Sequence, residues 1–248
     1  MESAIGMRRS SQSGLLPRAL GAGMLASALL TAPCTATTFQ LRSPQVMING
    51  GGIQGYLNAI GENIDVQRDQ IVGALMRASV ISSNSAVTIQ FELSGTAGGN
   101  AIGLYDGHDA NPVLMPVFPT SAVAGWFAVA SYRLSPTRVT INVFDETAAL
   151  RSTQTFLGGD RNAIGFFLSG PGGLLYSQDH RNPNGAPQCL FFPGTGINSG
   201  SMWLAFEAEP FVGGDHDFDD AIVFVEAPFT SLTPNLHTTG GQLKQRFR

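Results

Sequence analysis

Four aspartates crowd into six positions, Asp215, Asp217, Asp219 and Asp220, directly after Gly213 and Gly214 and between apolar runs at residues 202–206 and 221–225. Carboxylates held this closely repel one another, and a loop that alternates Asp with other residues can turn carboxylates and carbonyls toward one cation. Ca²⁺ suits that donor set, because it takes roughly six to eight hard oxygen ligands at about 2.3–2.6 Å. Mg²⁺ fits less well because it keeps its waters. Transition metals want more nitrogen or sulfur than His216 offers. The plainer reading is a solvated hairpin loop with Asp at its turn positions. An EF-hand is excluded. Asp215, Asp217, Asp219 and Glu226 fall at its first, third, fifth and twelfth places, but Asp220 occupies the sixth place, which needs Gly, and residues 221–225 read as a strand where the exiting helix should be.

Other reactive types give weaker signals. Ser177, Asp179 and His180 lie close in sequence, but neighbours on a strand point to opposite faces and no nucleophile elbow surrounds Ser177. Asp106, His108 and Asp109 could ligate a metal or form a polar turn before Pro112. Cys189 sits in an apolar run and reads as a small buried hydrophobe. No catalytic residue is assigned, and the chain is not read as an enzyme.

The elements that must hold the acidic loop are strands. Residues 87–93 and 139–143 alternate apolar with polar, the period of two for strands with one buried face. Residues 102–105, 126–132, 163–168, 174–177, 189–192, 202–206 and 221–225 are further short apolar or aromatic runs, most of them bounded by Gly, Pro, Asn or Asp. The expected fold is all-β, an antiparallel β-sandwich or jelly roll. A short helical stretch is expected near the N-terminus at residues 63–78, interrupted by Gly73. The chain's 248 residues, 30 of them Gly and 14 Pro, suit a single such domain.

Residues 1–36 read as an export signal. Arg8, Arg9 and Arg18 precede an apolar stretch at 19–30, and small residues follow at Cys34, Thr35 and Ala36. The apolar stretch is too short to span a bilayer, so no retained span is expected. The domain follows at 37–228, with a mobile tail at 229–248. Cleavage after Ala36 would leave Cys189 without a disulfide partner. It would also move the formal net charge from −4 to about −6, which excludes a nucleic-acid partner.

Phe206-Glu207 followed by Gly213-Gly214-Asp215-His216-Asp217-Phe218-Asp219-Asp220 resembles the hallmark of the domain of unknown function numbered 4114, found in exported bacterial proteins. Gly125-Trp126-Phe127, Val143-Phe144-Asp145, Gly165-Phe166-Phe167 and Tyr176-Ser177-Gln178-Asp179 with Asn182-Pro183 occur in that family's order, so the resemblance covers about 87–225. It implies a β-sandwich that binds calcium through Glu207, Asp215, Asp217, Asp219 and Asp220. The chain departs from the pattern at Ala208, where the family often has Asp, and at Asp219, where it often has Asn. The resulting expectation is an exported calcium-binding module, periplasmic, at the cell surface or extracellular, that binds a carbohydrate or surface ligand or mediates adhesion. The alternatives are a structural surface or matrix component with calcium for stability alone, and a polysaccharide-active hydrolase.

Overall fold

A computed structural model describes residues 39–73, 75–78, 87–93, 99–134, 137–160, 162–226 and 229–231. The export signal at 1–36 lies outside them, as does the tail beyond Ser231. All fall in one compact unit, Ala36–Arg248. No helix among them is long and apolar enough to cross a membrane.

The chain is an all-β sandwich of two antiparallel sheets. In order it forms helix α1 (Gly52–Ala59) and strands β1 (Met76–Ala78), β2 (Val87–Leu93), β3 (Ala101–Asp106), β4 (Leu114–Phe118), β5 (Phe127–Leu134), β6 (Thr137–Phe144), β7 (Leu150–Leu157), β8 (Ile164–Gly170), β9 (Gly173–Tyr176), β10 (Cys189–Pro193), β11 (Met202–Phe206), β12 (Ala221–Glu226) and β13 (Phe229–Ser231). The seven-stranded sheet runs β10-β11-β12-β2-β5-β6-β7. The six-stranded sheet runs β13-β1-β8-β3-β4, with β9 paired to β8.

Between the sheets lies the main core. On β6 the alternation expected from sequence turns Val139, Ile141 and Val143 inward, where they meet Ile102, Leu104, Phe166 and Leu168 of the opposite sheet. β10, β11 and β12 are buried on both faces, which is why they read as unbroken apolar runs. Met202, Leu204 and Phe206 enter the main core, whereas Trp203 and Ala205 join Leu190, Phe192, Ile222 and Phe224 in a second cluster on the outer face.

Residues 46–66 cover that outer face. The helix is α1, not the expected stretch at 63–78. Ile53 and Leu57, four residues apart, bury one helical face, and Tyr56 meets Trp203 edge-on with ring centroids 6.0 Å apart. The chain leaves α1 through Gly61 at φ 83, with Glu62 N–H bonded to Leu57 O (2.9 Å) and Gly61 N–H to Asn58 O (3.1 Å), the geometry of a Schellman stop. Residues 63–73 are turns and extended chain whose glutamines bond to neighbouring backbone, and 76–78 form β1. Gln70 clasps both backbone groups of Val46, Gln67 those of Ile48, and Ile71 N–H pairs with Phe191 O. The 229–248 segment read as a tail begins with a strand, because β13 fills the free side of β1.

Glu62 anchors the far end of this layer. Its carboxylate accepts bonds from Thr195 N (2.7 Å), the Thr195 hydroxyl, Asn198 Nδ2 (2.7 Å) and Trp203 Nε1 (2.9 Å). Burial alone would raise its pKa, but these donors outweigh it and hold the carboxyl below its ordinary value. Leu57 has no exposed surface, so Leu57→Ala should lower the unfolding free energy by about 2–5 kcal/mol in denaturant titration. Leu157→Ala, at a side chain 81% exposed on an edge strand, should change it by no more than about 0.5 kcal/mol.

Candidate metal centre

The connection between β11 and β12, residues 207–220, leaves and re-enters the sheet where Phe206 pairs with Ala221. Buried Gln188, just before β10, braces its first half. The Gln188 amide donates to Glu207 O (2.9 Å) and Glu209 O (2.7 Å), and its carbonyl oxygen accepts Phe211 N–H (2.9 Å). In the second half His216 and Phe218 take left-handed backbone angles, φ 59 and 54. Such angles cost a bulky residue on the order of 1 kcal/mol. Phe218 offsets this by complete burial in the second cluster, a gain of about 1.5–3 kcal/mol.

These turns bring Glu207, Asp217 and Asp220 together, one oxygen from each lying within 4.8 Å of the others. Two oxygens on opposite sides of a calcium ion stand about 5 Å apart, so the trio can share one ion. Backbone N–H groups orient each carboxylate: Glu209 N–H points to Glu207 Oε1 (3.2 Å), Asp219 N–H to Asp217 Oδ1 (3.2 Å) and Ala208 N–H to Asp220 Oδ2 (2.6 Å). Glu207 has no exposed surface, and its Oε2 is buried without a hydrogen-bond partner. A buried oxygen of this kind is expensive unless a proton or cation meets it. Burial pushes the Glu207 carboxyl up to about 7, and the charges of Asp220 and Asp215 push the same way against the Glu209 N–H. The residues present therefore fit a hard cation, with carboxylate oxygen as the donor.

Asp215 and Asp219 stand outside this trio. Asp215 is exposed, and its carbonyl accepts the Asn49 side-chain amide (2.6 Å). Asp219 presses on the first turn of α1, where a Cβ added to Gly52 would lie 1.7 Å from Asp219 Oδ2. Burial, then the charges of Asp217, Asp220 and Asp215, raise its carboxyl above the ordinary value. His216 stacks on Phe211 with centroids 4.1 Å apart, and its Nε2 contacts Phe211 O. Strand β12 follows Asp220 directly, as the rejection of an EF-hand requires.

The weaker constellations are occupied by structural bonds. Ser177 Oγ accepts Phe166 N–H (3.0 Å), Asp179 pairs with Arg42, and Asn182 bridges both backbone groups of Tyr176. Asp106 accepts N–H bonds from His108 and Asp160, and Asp160 lies 3.3 Å from the His108 ring. Burial pushes the Cys189 thiol well above its usual range. Sequence alone gives no role to Gln188 or Asn49. Gln188 had a signal, a lone amide heading an apolar run, whereas Asn49 lies more than 150 positions from the loop it grips.

The class of protein that fold and site define is an all-β sandwich with an acidic trio able to hold a metal ion. No known protein family, curated protein or solved structure gives a match to this chain.

Free of any cation, the Glu207 carboxyl is pushed up to about 7 in the fold against an ordinary 4.5. A raised carboxyl stabilises the fold fully below the unfolded pKa, and that contribution is lost as pH rises through the folded one. In metal-free buffer the protein should therefore lose melting temperature between pH 4.5 and 7 relative to Glu207→Gln. Parallel thermal melts of the two proteins across that window would contradict the assignment.

Proposed function

We propose that this chain is an exported calcium-binding β-sandwich module in which the ion fixes the β11–β12 connection and thereby the fold. The observation that carries the reading is the Glu207 carboxylate, which is fully buried with its Oε2 unpartnered and has one oxygen within 4.8 Å of carboxylate oxygens of Asp217 and Asp220. An all-oxygen donor set favours Ca²⁺ over softer ions, and an irregular loop favours it over the tight octahedron of Mg²⁺. The resemblance to the domain of unknown function numbered 4114, resting on Phe206-Glu207 and the Gly213 to Asp220 run, points to the same ion and to export.

Calcium for stability is supported by Phe218, which leaves the acidic loop to fill the second apolar cluster. A ligand-binding or adhesive role is the second reading. Phe127 and Phe144 favour it: they stack with centroids 4.8 Å apart, only half-buried, at the end of the seven-stranded sheet to which the acidic loop belongs. Stacked aromatic faces of that kind suit the apolar face of a sugar ring.

Calorimetry of the chelated protein should show calcium binding. At free calcium a hundred times the dissociation constant, the ion should add about 2.7 kcal/mol of stability. Asp217→Asn and Asp220→Ala should weaken the calcium-dependent rise in melting temperature, Asp109→Asn should leave it intact, and Mg²⁺ at equal concentration should substitute poorly. Absence of binding at millimolar calcium would overturn the calcium reading of the trio.

A further inference from the structure

The acidic loop faces two ways. Asp217 and Asp220 converge with Glu207, while the residues between and beside them hold the N-terminal layer. Asn49 N–H donates to His216 O (2.9 Å), and its side-chain amide donates to Asp215 O (2.6 Å). Asp219 fills the space beside Gly52, where any side chain would collide with it. Phe218, one residue from Asp217, is completely buried in the cluster that includes Ile53 and Leu57. Moving the 217–218 backbone therefore displaces a candidate ligand and a core side chain in the same step. The other end of the layer is held independently, by the four donors on Glu62.

We infer that ion occupancy at Glu207, Asp217 and Asp220 controls the docking of residues 48–61 on the outer face of β10–β12, with Glu62 as the fixed end. The inference rests on the calcium reading of this trio. With the ion bound, its double positive charge offsets most of the repulsion among the three carboxylates, and the loop keeps Phe218 inserted and Asn49 engaged. Without it, like charges within 4.8 Å of one another push the loop open, Phe218 withdraws, and α1 loses the contacts at its N-terminal side. The uncovered surface is apolar and includes Trp203, Phe224 and Phe192. Linkage runs both ways: a segment that docks better when the ion is bound must also raise the affinity for the ion.

Hydrogen exchange by mass spectrometry on the full chain, with calcium chloride or with chelator, separates this device from general stabilisation. In chelator, amides of 48–61 and 207–220 should exchange about tenfold faster or more, while those of 62–66, β3 and β8 keep their protection. In a Trp126→Phe background the Trp203 emission should shift to the red on chelation. Asn49→Ala, whose amide reaches the Asp215 carbonyl and none of Glu207, Asp217 and Asp220, should lower calcium affinity roughly fivefold. If calorimetry shows bound calcium but 48–61 exchange equally with and without it, or lose protection in step with β3 and β8, the docking device is overturned and the calcium site stands. If calorimetry shows no binding, both fall.

Discussion

Glu207 presents one physical demand that organises the region around it. Its carboxylate sits at the end of a strand buried on both faces, with no exposed surface and one oxygen that meets no donor. A carboxylate there must take up a proton or share a cation, because a bare charge in such surroundings is costly. The loop that follows supplies two further carboxylates, so the proton solution grows more favourable as the negative charge accumulates and the cation solution more favourable still. A divalent cation is attracted by all three groups at once and offsets two of their charges, whereas a proton offsets one.

The same loop also closes the fold. β10, β11 and β12 would expose Leu190, Phe192, Trp203, Ile222 and Phe224 were it not for residues 46–66, a layer held by side-chain amides and by the bonds at Glu62. That layer contains an α-helix of only eight residues, too short to be stable alone. Its stability comes from the sheet beneath it and from its contacts with the acidic loop. Charge balance at the trio and apolar packing under α1 are thus parts of one arrangement joined at Phe218.

Much of the sandwich was legible because burial leaves different marks on strands with one covered face and strands with two. Val139, Ile141 and Val143 alternate with half-buried neighbours on β6, and the alternation shows directly in the sequence. β11 and β12 carry unbroken apolar runs, and their limits were close to those expected. β7 was missed because its outward Thr153 and Thr155 and inward Ser152 and Gln154 give no contrast in polarity. β4 was missed because Pro116 interrupts it, which an edge strand with a register shift tolerates. The helix was misplaced because two glycines mask α1, while the apolar spacing at 63–73 arises from extended chain pinned by Gln67 and Gln70.

The sequence by itself determined that the chain is strand-rich and that negative charge concentrates between two buried strands, since both are matters of residue type and local period. It also presented Glu207 beside that charge. Tertiary structure decided which carboxylates converge. Asp217 and Asp220 turn to Glu207, whereas Asp219 turns to α1 and Asp215 to solvent, and left-handed angles at His216 and Phe218 are what set those directions apart. It also decided that Asn49 grips the loop, a contact spanning more than 160 positions. No local pattern encodes such a partner, because side-chain direction in an irregular loop follows from what packs against it and not from spacing along the chain.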